Sequence, residues 1–292
     1  MKFFTTLAFA LSTMTGFFIT SAQANETKSE FFYQAGADES FIQGSIRHHA
    51  VELESITGES VSIKDLNIKL AYEIGLSDSL AAYGNIGYGD LDFAGILTAK
   101  GLDPFNFGVK YQMQAGVGQF FARANLGVGL LGKLDCDNEC NRTDGSINLA
   151  LRAGYLWTLE NAFVGLALDY GLFSTDGKLK GSNDDINKKG SAIISAFYER
   201  IVADMIFGGQ ISYSHSGIGG TNSDTPLAGF FYGDDVNGST DFLGLTFYTR
   251  VPMATGFSLL GSIAYERILD TDGVGIDSGY VFGLNIGGRY NF

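Results

Sequence analysis

Few side chains in this 292-residue chain combine residue type with the spacing that chemistry requires. His215 stands between Ser214 and Ser216, which places a general base beside two hydroxyl nucleophiles. Hydrolysis would need base and nucleophile within hydrogen-bond reach. On an extended strand adjacent side chains point to opposite faces, so His215 readily meets neither serine. Asp90 and Asp92 share one face of an extended segment, but no Asp-x-His motif joins them to a base. His48 and His49 read as the end of a first strand, as interfacial or loop residues. Acidic residues gather in five polar stretches: Asp90, Asp92 and Asp103; Asp135, Asp137 and Glu139; Asp176, Asp184 and Asp185; Asp224, Asp234 and Asp235; Asp270, Asp272 and Asp277. Several oxygens converging on Gly233–Gly238 would suit calcium, yet the spacing is not that of an EF-hand loop and solvated tips explain it as well. No metal site, no cofactor and no enzymatic activity is expected.

The elements that carry these residues have a period of two. Residues 64–75 set Leu66, Ile68, Leu70, Tyr72 and Ile74 against Asn67, Lys69, Ala71 and Glu73. Residues 104–113 and 161–172 repeat the pattern, and a helix would scatter these polar side chains over every face. Carried along the chain, the alternation gives about twelve strands: 40–48, 64–75, 79–89, 104–113, 118–131, 146–156, 161–172, 191–199, 204–214, 240–250, 256–266 and 279–292. Short turns (76–78, 114–117, 157–160, 200–203, 251–255) alternate with long polar loops. The three prolines, Pro104, Pro226 and Pro252, fall outside strand interiors in this reading.

Composition agrees with an alternating, half-apolar wall. The chain has 40 Gly, 24 Phe and 14 Tyr but 3 Pro and 1 Trp, and 17% of its residues are charged. No stretch of the mature chain is apolar enough for a membrane helix. A formal charge of −13 disfavours nucleic acid as a partner. Residues 1–24 read as a cleaved signal peptide: Lys2, an apolar run from Phe3 to Ile19, and the small-residue site Ser21-Ala22-Gln23-Ala24. Residues 25–39 then form a short periplasmic leader, whose Phe31-Phe32-Tyr33 has three placements open to it: the lumen, an extension of the first strand, or the periplasm. Residues 40–292 form the barrel. In an oxidising compartment the two cysteines, Cys136 and Cys140, read as a disulfide closing a loop tip.

Aromatic residues on the apolar face sort into two belts, as rings at two membrane–water interfaces would. Tyr88, Tyr170, Tyr213, Tyr265 and Tyr280 lie at long-loop ends; Tyr111, Tyr155, Trp157, Tyr198, Tyr290 and Phe292 lie at short-turn ends. The final strand closes Gly288-Arg289-Tyr290-Asn291-Phe292, which resembles the C-terminal targeting signal of Gram-negative outer-membrane β-barrels, with Tyr290 and Phe292 as its aromatics. The resemblance covers nearly the whole mature chain and implies an all-β, transmembrane, antiparallel up-and-down barrel with short periplasmic turns and long extracellular loops. It also implies residence in the outer membrane, contact with outer-membrane lipids and lipopolysaccharide, and assembly by periplasmic chaperones and the barrel-assembly machinery. In size the chain resembles a solitary autotransporter-type translocator barrel without a passenger.

Parity turns Lys69, Glu73, Lys110, Arg123, Arg152, Asp169, Arg250, Glu266 and Arg289 toward the lumen. This set is net basic, and basic rings favour anions. The expected function is therefore structural or pore-forming, with a narrow anion-favouring channel as its sharper form and a charge-paired, filled interior as its blander one. Two alternatives stand beside it: an outer-membrane lipid hydrolase or deacylase centred on His215, and a surface adhesion or receptor protein acting through the acidic loops.

Overall fold

The computed structural model describes residues 28–55, 57–93, 97–129, 139–141, 147–174, 189–218, 239–272 and 276–292. The strands are β1 (Ser40–Ser55), β2 (Ser60–Ser77), β3 (Leu80–Phe93), β4 (Leu97–Leu102), β5 (Phe105–Ala115), β6 (Gly118–Val128), β7 (Glu139–Asn141), β8 (Ile147–Leu159), β9 (Ala162–Ser174), β10 (Lys189–Val202), β11 (Met205–Ile218), β12 (Ser239–Ala254), β13 (Phe257–Asp272) and β14 (Ile276–Asn291). Twelve of them make an antiparallel wall in which each strand pairs with its sequence neighbours. β4 continues the hairpin above β5, pairing with the upper part of β3, and β7 adds to β4 in parallel. The wall closes because β1 pairs with β2 on one side and with β14 on the other, in register Phe41 to Asn291. Closure leaves the wall no open edge, and so no unpaired row of backbone donors to face hydrocarbon.

The two faces follow the period of two. On β2, Leu66, Ile68, Leu70, Tyr72 and Ile74 are exposed outward, while Asp65, Asn67 and Glu73 are buried inside. All the belt aromatics are exposed on the outer face except Tyr155, which is half-buried and donates its hydroxyl to the Ala115 carbonyl. An apolar outer band with aromatic girdles is what lipid requires of a barrel.

The strands run further than the apolar alternation indicated. β1 continues to Ser55 rather than ending at His48, because Glu52 and Glu54 keep the ladder to β14 and β2 above the apolar band. His48 and His49 are therefore mid-strand, not terminal: His48 is exposed outward, and His49 is buried inside with Nδ1 4.0 Å from an Asp65 oxygen. Pro252 also lies within a strand, at a register irregularity close to the end of β12, where a missing N–H costs least. The turn from β10 to β11 is a two-residue hairpin whose central residues, Ala203 and Asp204, both have positive φ.

Candidate functional site

The inner surface changes character along the barrel axis. Near the short turns it is apolar: Phe41, Ala81, Phe121, Leu156, Phe163 and Phe197 are all buried there. The segment read as a periplasmic leader meets this surface from within. Phe31 stacks on Phe197 of β10 with ring centroids 3.8 Å apart, and Phe32 stacks on Phe121 of β6 at 4.2 Å. The Arg152 guanidinium of β8 lies 5.0 Å from the Phe31 ring centroid. Phe31, Phe32, Tyr33, Gln34 and Ala35 are all buried.

Polar contacts fix the same segment to strands on all sides. Glu199 on β10 accepts from the Glu30 and Phe31 amides at 3.2 and 2.6 Å, and Tyr248 on β12 donates to it at 3.0 Å. Glu73 on β2 accepts from the Ala35 amide at 2.8 Å, and Lys110 on β5 donates to the Tyr33 carbonyl at 2.7 Å. Arg289 on β14 pairs with Glu30 at 2.9 Å and also donates to Gln43. A segment that touches β2, β5, β6, β8, β10 and β14 together can only lie inside the barrel. Residues 28–37 thus cross the lumen at the short-turn end.

Glu39 clips the exit of this segment. It accepts from Lys28 at 2.9 Å and from the Gly36 amide at 2.6 Å. Burial pushes its carboxyl up, but these hydrogen bonds outweigh burial and leave its pKa below the usual carboxylate value. The clip is therefore complete at neutral pH and is lost as the pH falls through that lowered value. The protection factor of the Gly36 amide, its exchange rate relative to an unstructured amide at the same pH, is expected to fall on acidification, and Glu39→Gln to remove that pH dependence.

Of the nine charges assigned to the lumen by parity, Glu73, Lys110, Arg152, Asp169, Arg250, Glu266 and Arg289 are buried, and Lys69 and Arg123 are half-buried. Lys110, Arg123, Arg152 and Asp169 are direct cross-strand neighbours on β5, β6, β8 and β9, one row of charge around a third of the wall. Lys110 pairs with Glu73 at 2.7 Å and Arg152 with Asp169 at 2.5 Å. The interior also holds Arg47, Asp65 and Glu199, and Glu30 enters with the N-terminal segment. The acids that sequence parity left out make the interior less basic than that set of nine suggested. The missed residues carried a signal: Phe121, Phe163 and Phe197 sit at inward parity near short turns, an apolar inner ring opposite the Phe31-Phe32-Tyr33 motif.

Toward the long loops the inner surface is polar. On the side formed by β2, β3, β5 and β6 several inward side chains are half-buried rather than buried, Lys69, Asn85, Asn106, Arg123 and Asn125, beside the buried Asp65 and Asn67. This is the water-accessible part of the lumen.

His215 forms no pair with Ser214. It faces outward on β11, and its Nδ1 lies 2.6 Å from Asp241 on β12, its direct cross-strand partner. Ser214 is buried inside, on the opposite face, and the Ser216 side chain falls outside the described residues. Asp90 is held at the barrel mouth by Lys100, 3.0 Å away. Cys136, the side chain of Cys140, Gly233–Gly238 and most of the acidic loop residues are also outside the described residues.

No protein-family model matches this chain, and no curated protein matches it. Solved structures do. An outer-membrane channel from Pseudomonas putida F1 superposes with a TM-score of 0.65 at 12% identity, over 94% of this chain and all of that one. The fold is that of an outer-membrane β-barrel. The β domain of the Bordetella autotransporter BrkA follows with a TM-score of 0.56 at 16% identity, over 87% of this chain and all of that one. The translocator domain of the autotransporter NalP from Neisseria meningitidis matches at 0.55 and 12%, over 88% and 90% of the two chains. This outer-membrane barrel thus shares its architecture with channels and translocators alike.

Proposed function

We propose that the protein is an outer-membrane channel, closed on its periplasmic side by its own N-terminal segment and passing small anions in preference to cations. The observation that carries this reading is residues 28–37 seated across the lumen by contacts to six strands. The segment joins the wall covalently at Ser40 and is otherwise held there by side-chain contacts, so it can leave without breaking the strand ladder. The anion preference rests on where the charges sit. Glu73 and Asp169 are buried in ion pairs and Glu199 in hydrogen bonds, whereas Lys69 and Arg123 stand on the water-accessible side. Pore selectivity follows the charges that permeating ions meet.

The hydrolase alternative gains nothing from the geometry, since His215 and Ser214 point to opposite faces; we take the protein to be a non-enzyme. Export through residues 1–24, lipopolysaccharide contacts and chaperone-assisted assembly are carried in this proposal as properties of the class.

Single-channel recording in a planar bilayer tests the reading. The full mature chain is expected to give rare, brief steps. A variant lacking residues 28–37 is expected to give long-lived steps with a reversal potential of anion sign in a salt gradient. A folded deletion variant that stays silent overturns the channel, and a cation-sign potential overturns the selectivity.

A further inference from the structure

The water-accessible side of the lumen has a donor arrangement of its own. Asn125 donates to Asn106 at 3.2 Å and Asn106 donates to Asn85 at 3.3 Å, so three amides on β6, β5 and β3 form a ladder. Tyr83 steadies its end, donating to the Asn125 carbonyl oxygen at 3.1 Å. Asn106 spends its second amide hydrogen on the Pro104 carbonyl at 2.8 Å, so the donors left over in the ladder are those of Asn85 and Asn125, beside the spare carbonyl lone pairs. Such a ladder matches the alternating donors and acceptors of vicinal hydroxyls.

Two cations stand on the same side. Lys69 on β2 and Arg123 on β6 are half-buried at inward parity, and neither makes a hydrogen bond or ion pair among the described residues. The charges that act on Lys69 are those of Arg47, Asp103 and Arg123, three cations in all against one carboxylate. Asp103 is itself held by the Asn67 amide. Arg123 stands directly between Lys110 and Arg152, whose partners Glu73 and Asp169 also act on it while making their own pairs elsewhere. Like charges set side by side in a narrow, partly desolvated channel repel, and an anion arriving between them relieves that repulsion.

Resting on the channel reading above, we infer that this groove is a binding site for a small hydroxylated anion, a sugar acid or a sugar phosphate. Lys69 and Arg123 hold the acidic group, and Asn85, Asn106 and Asn125 take the hydroxyls. A carboxylate fits the Arg123 fork in bidentate fashion, and a phosphate engages both cations. A simple halide or acetate uses the cations alone and leaves the ladder idle.

Binding to the detergent-solubilised full chain, followed by calorimetry with glucuronate, glucose 6-phosphate, glucose and acetate, tests this without requiring conduction. Glucuronate or glucose 6-phosphate is expected to bind at least tenfold tighter than glucose or acetate, and the preferred one of the two identifies the acidic group. Lys69→Gln and Arg123→Gln are each expected to weaken that binding about tenfold, the scale of a charge-assisted hydrogen bond. Arg123→Lys retains part of it, and Asn106→Ala removes the advantage over acetate. Heat-dependent migration in detergent gels verifies that each variant is folded. Equal binding of glucuronate, glucose 6-phosphate and acetate, or binding untouched in Lys69→Gln and Arg123→Gln, overturns the inference even if the protein conducts. Specific binding by a protein that never conducts supports the site and defeats the channel instead.

Discussion

Gly75→Val is expected to convert rare openings into a continuously open channel while the barrel wall stays intact. Gly75 lies on the inner face of β2, where the N-terminal segment passes closest to the wall: a Cβ built there would stand 1.6 Å from the Gly36 carbonyl oxygen and 2.9 Å from that of Ala35. No side-chain rotation relieves a clash with backbone. The three nearest atoms all belong to the segment, so the segment must shift while β2 keeps its ladder to β1 and β3. The segment is also held by a hydrogen bond from the Gly75 amide to the Glu39 carbonyl, 2.9 Å long, which a displaced chain loses. Planar-bilayer recording of Gly75→Val beside the unaltered protein measures the effect as open probability. Moving an equilibrium from one part open in a hundred to ninety-nine takes about 5.5 kcal/mol, which a direct clash with main chain supplies with ease. Conductance unchanged in a folded Gly75→Val protein would mean that the segment does not close the pore.

The wall was legible in the sequence because lipid imposes one rule on every strand. Leu66 to Ile74 on β2 and Phe105 to Met113 on β5 alternate without exception, since any outward polar residue there faces hydrocarbon. The rule lapses above the membrane, which is why the upper half of β1 and the last four residues of β3 read as loops: Glu52, Glu54 and Asp92 are legitimate strand residues once water touches the outer face. Parity read the lumen residue by residue, and of the charges it assigned there seven are buried while Lys69 and Arg123 are half-buried. Their partners were not legible. Whether Lys110 meets Glu73, and Arg152 meets Asp169, depends on strand register and barrel shear, which no local pattern encodes. Placement of the N-terminal segment was harder still. Phe31-Phe32-Tyr33 announces an apolar contact, but the contact surface is assembled from Phe41, Phe121, Phe163 and Phe197, on four strands that are distant in sequence.

That same assembled surface makes the double substitution Phe31→Ala with Phe32→Ala the most severe test of how the segment is held. Each ring is buried and stacked on a ring of the wall, Phe31 on Phe197 and Phe32 on Phe121. Removing a buried Phe costs about 3–5 kcal/mol in a packed site, so losing both removes as much stabilisation as several of the segment's charge-assisted hydrogen bonds, at about 1.5–3 kcal/mol each. The buried charges add to the imbalance. Glu30 and Arg289 are paired at 2.9 Å while the segment is seated. Once it leaves, water enters, Glu30 is solvated, and Arg289 keeps Gln43 and gains hydration, so unseating carries no unpaired-charge penalty. The segment should therefore pass from mostly seated to mostly released, read as protease cleavage after Lys28 in the folded barrel and as a matching rise in open probability. Phe121→Ala made in the wall should be non-additive with Phe32→Ala, because both remove the same stacked pair. Additive effects would mean that Phe32 and Phe121 do not act as a pair, and cleavage no faster than in the unaltered protein would mean that the polar contacts from Glu73, Lys110 and Glu199 hold the segment without its rings.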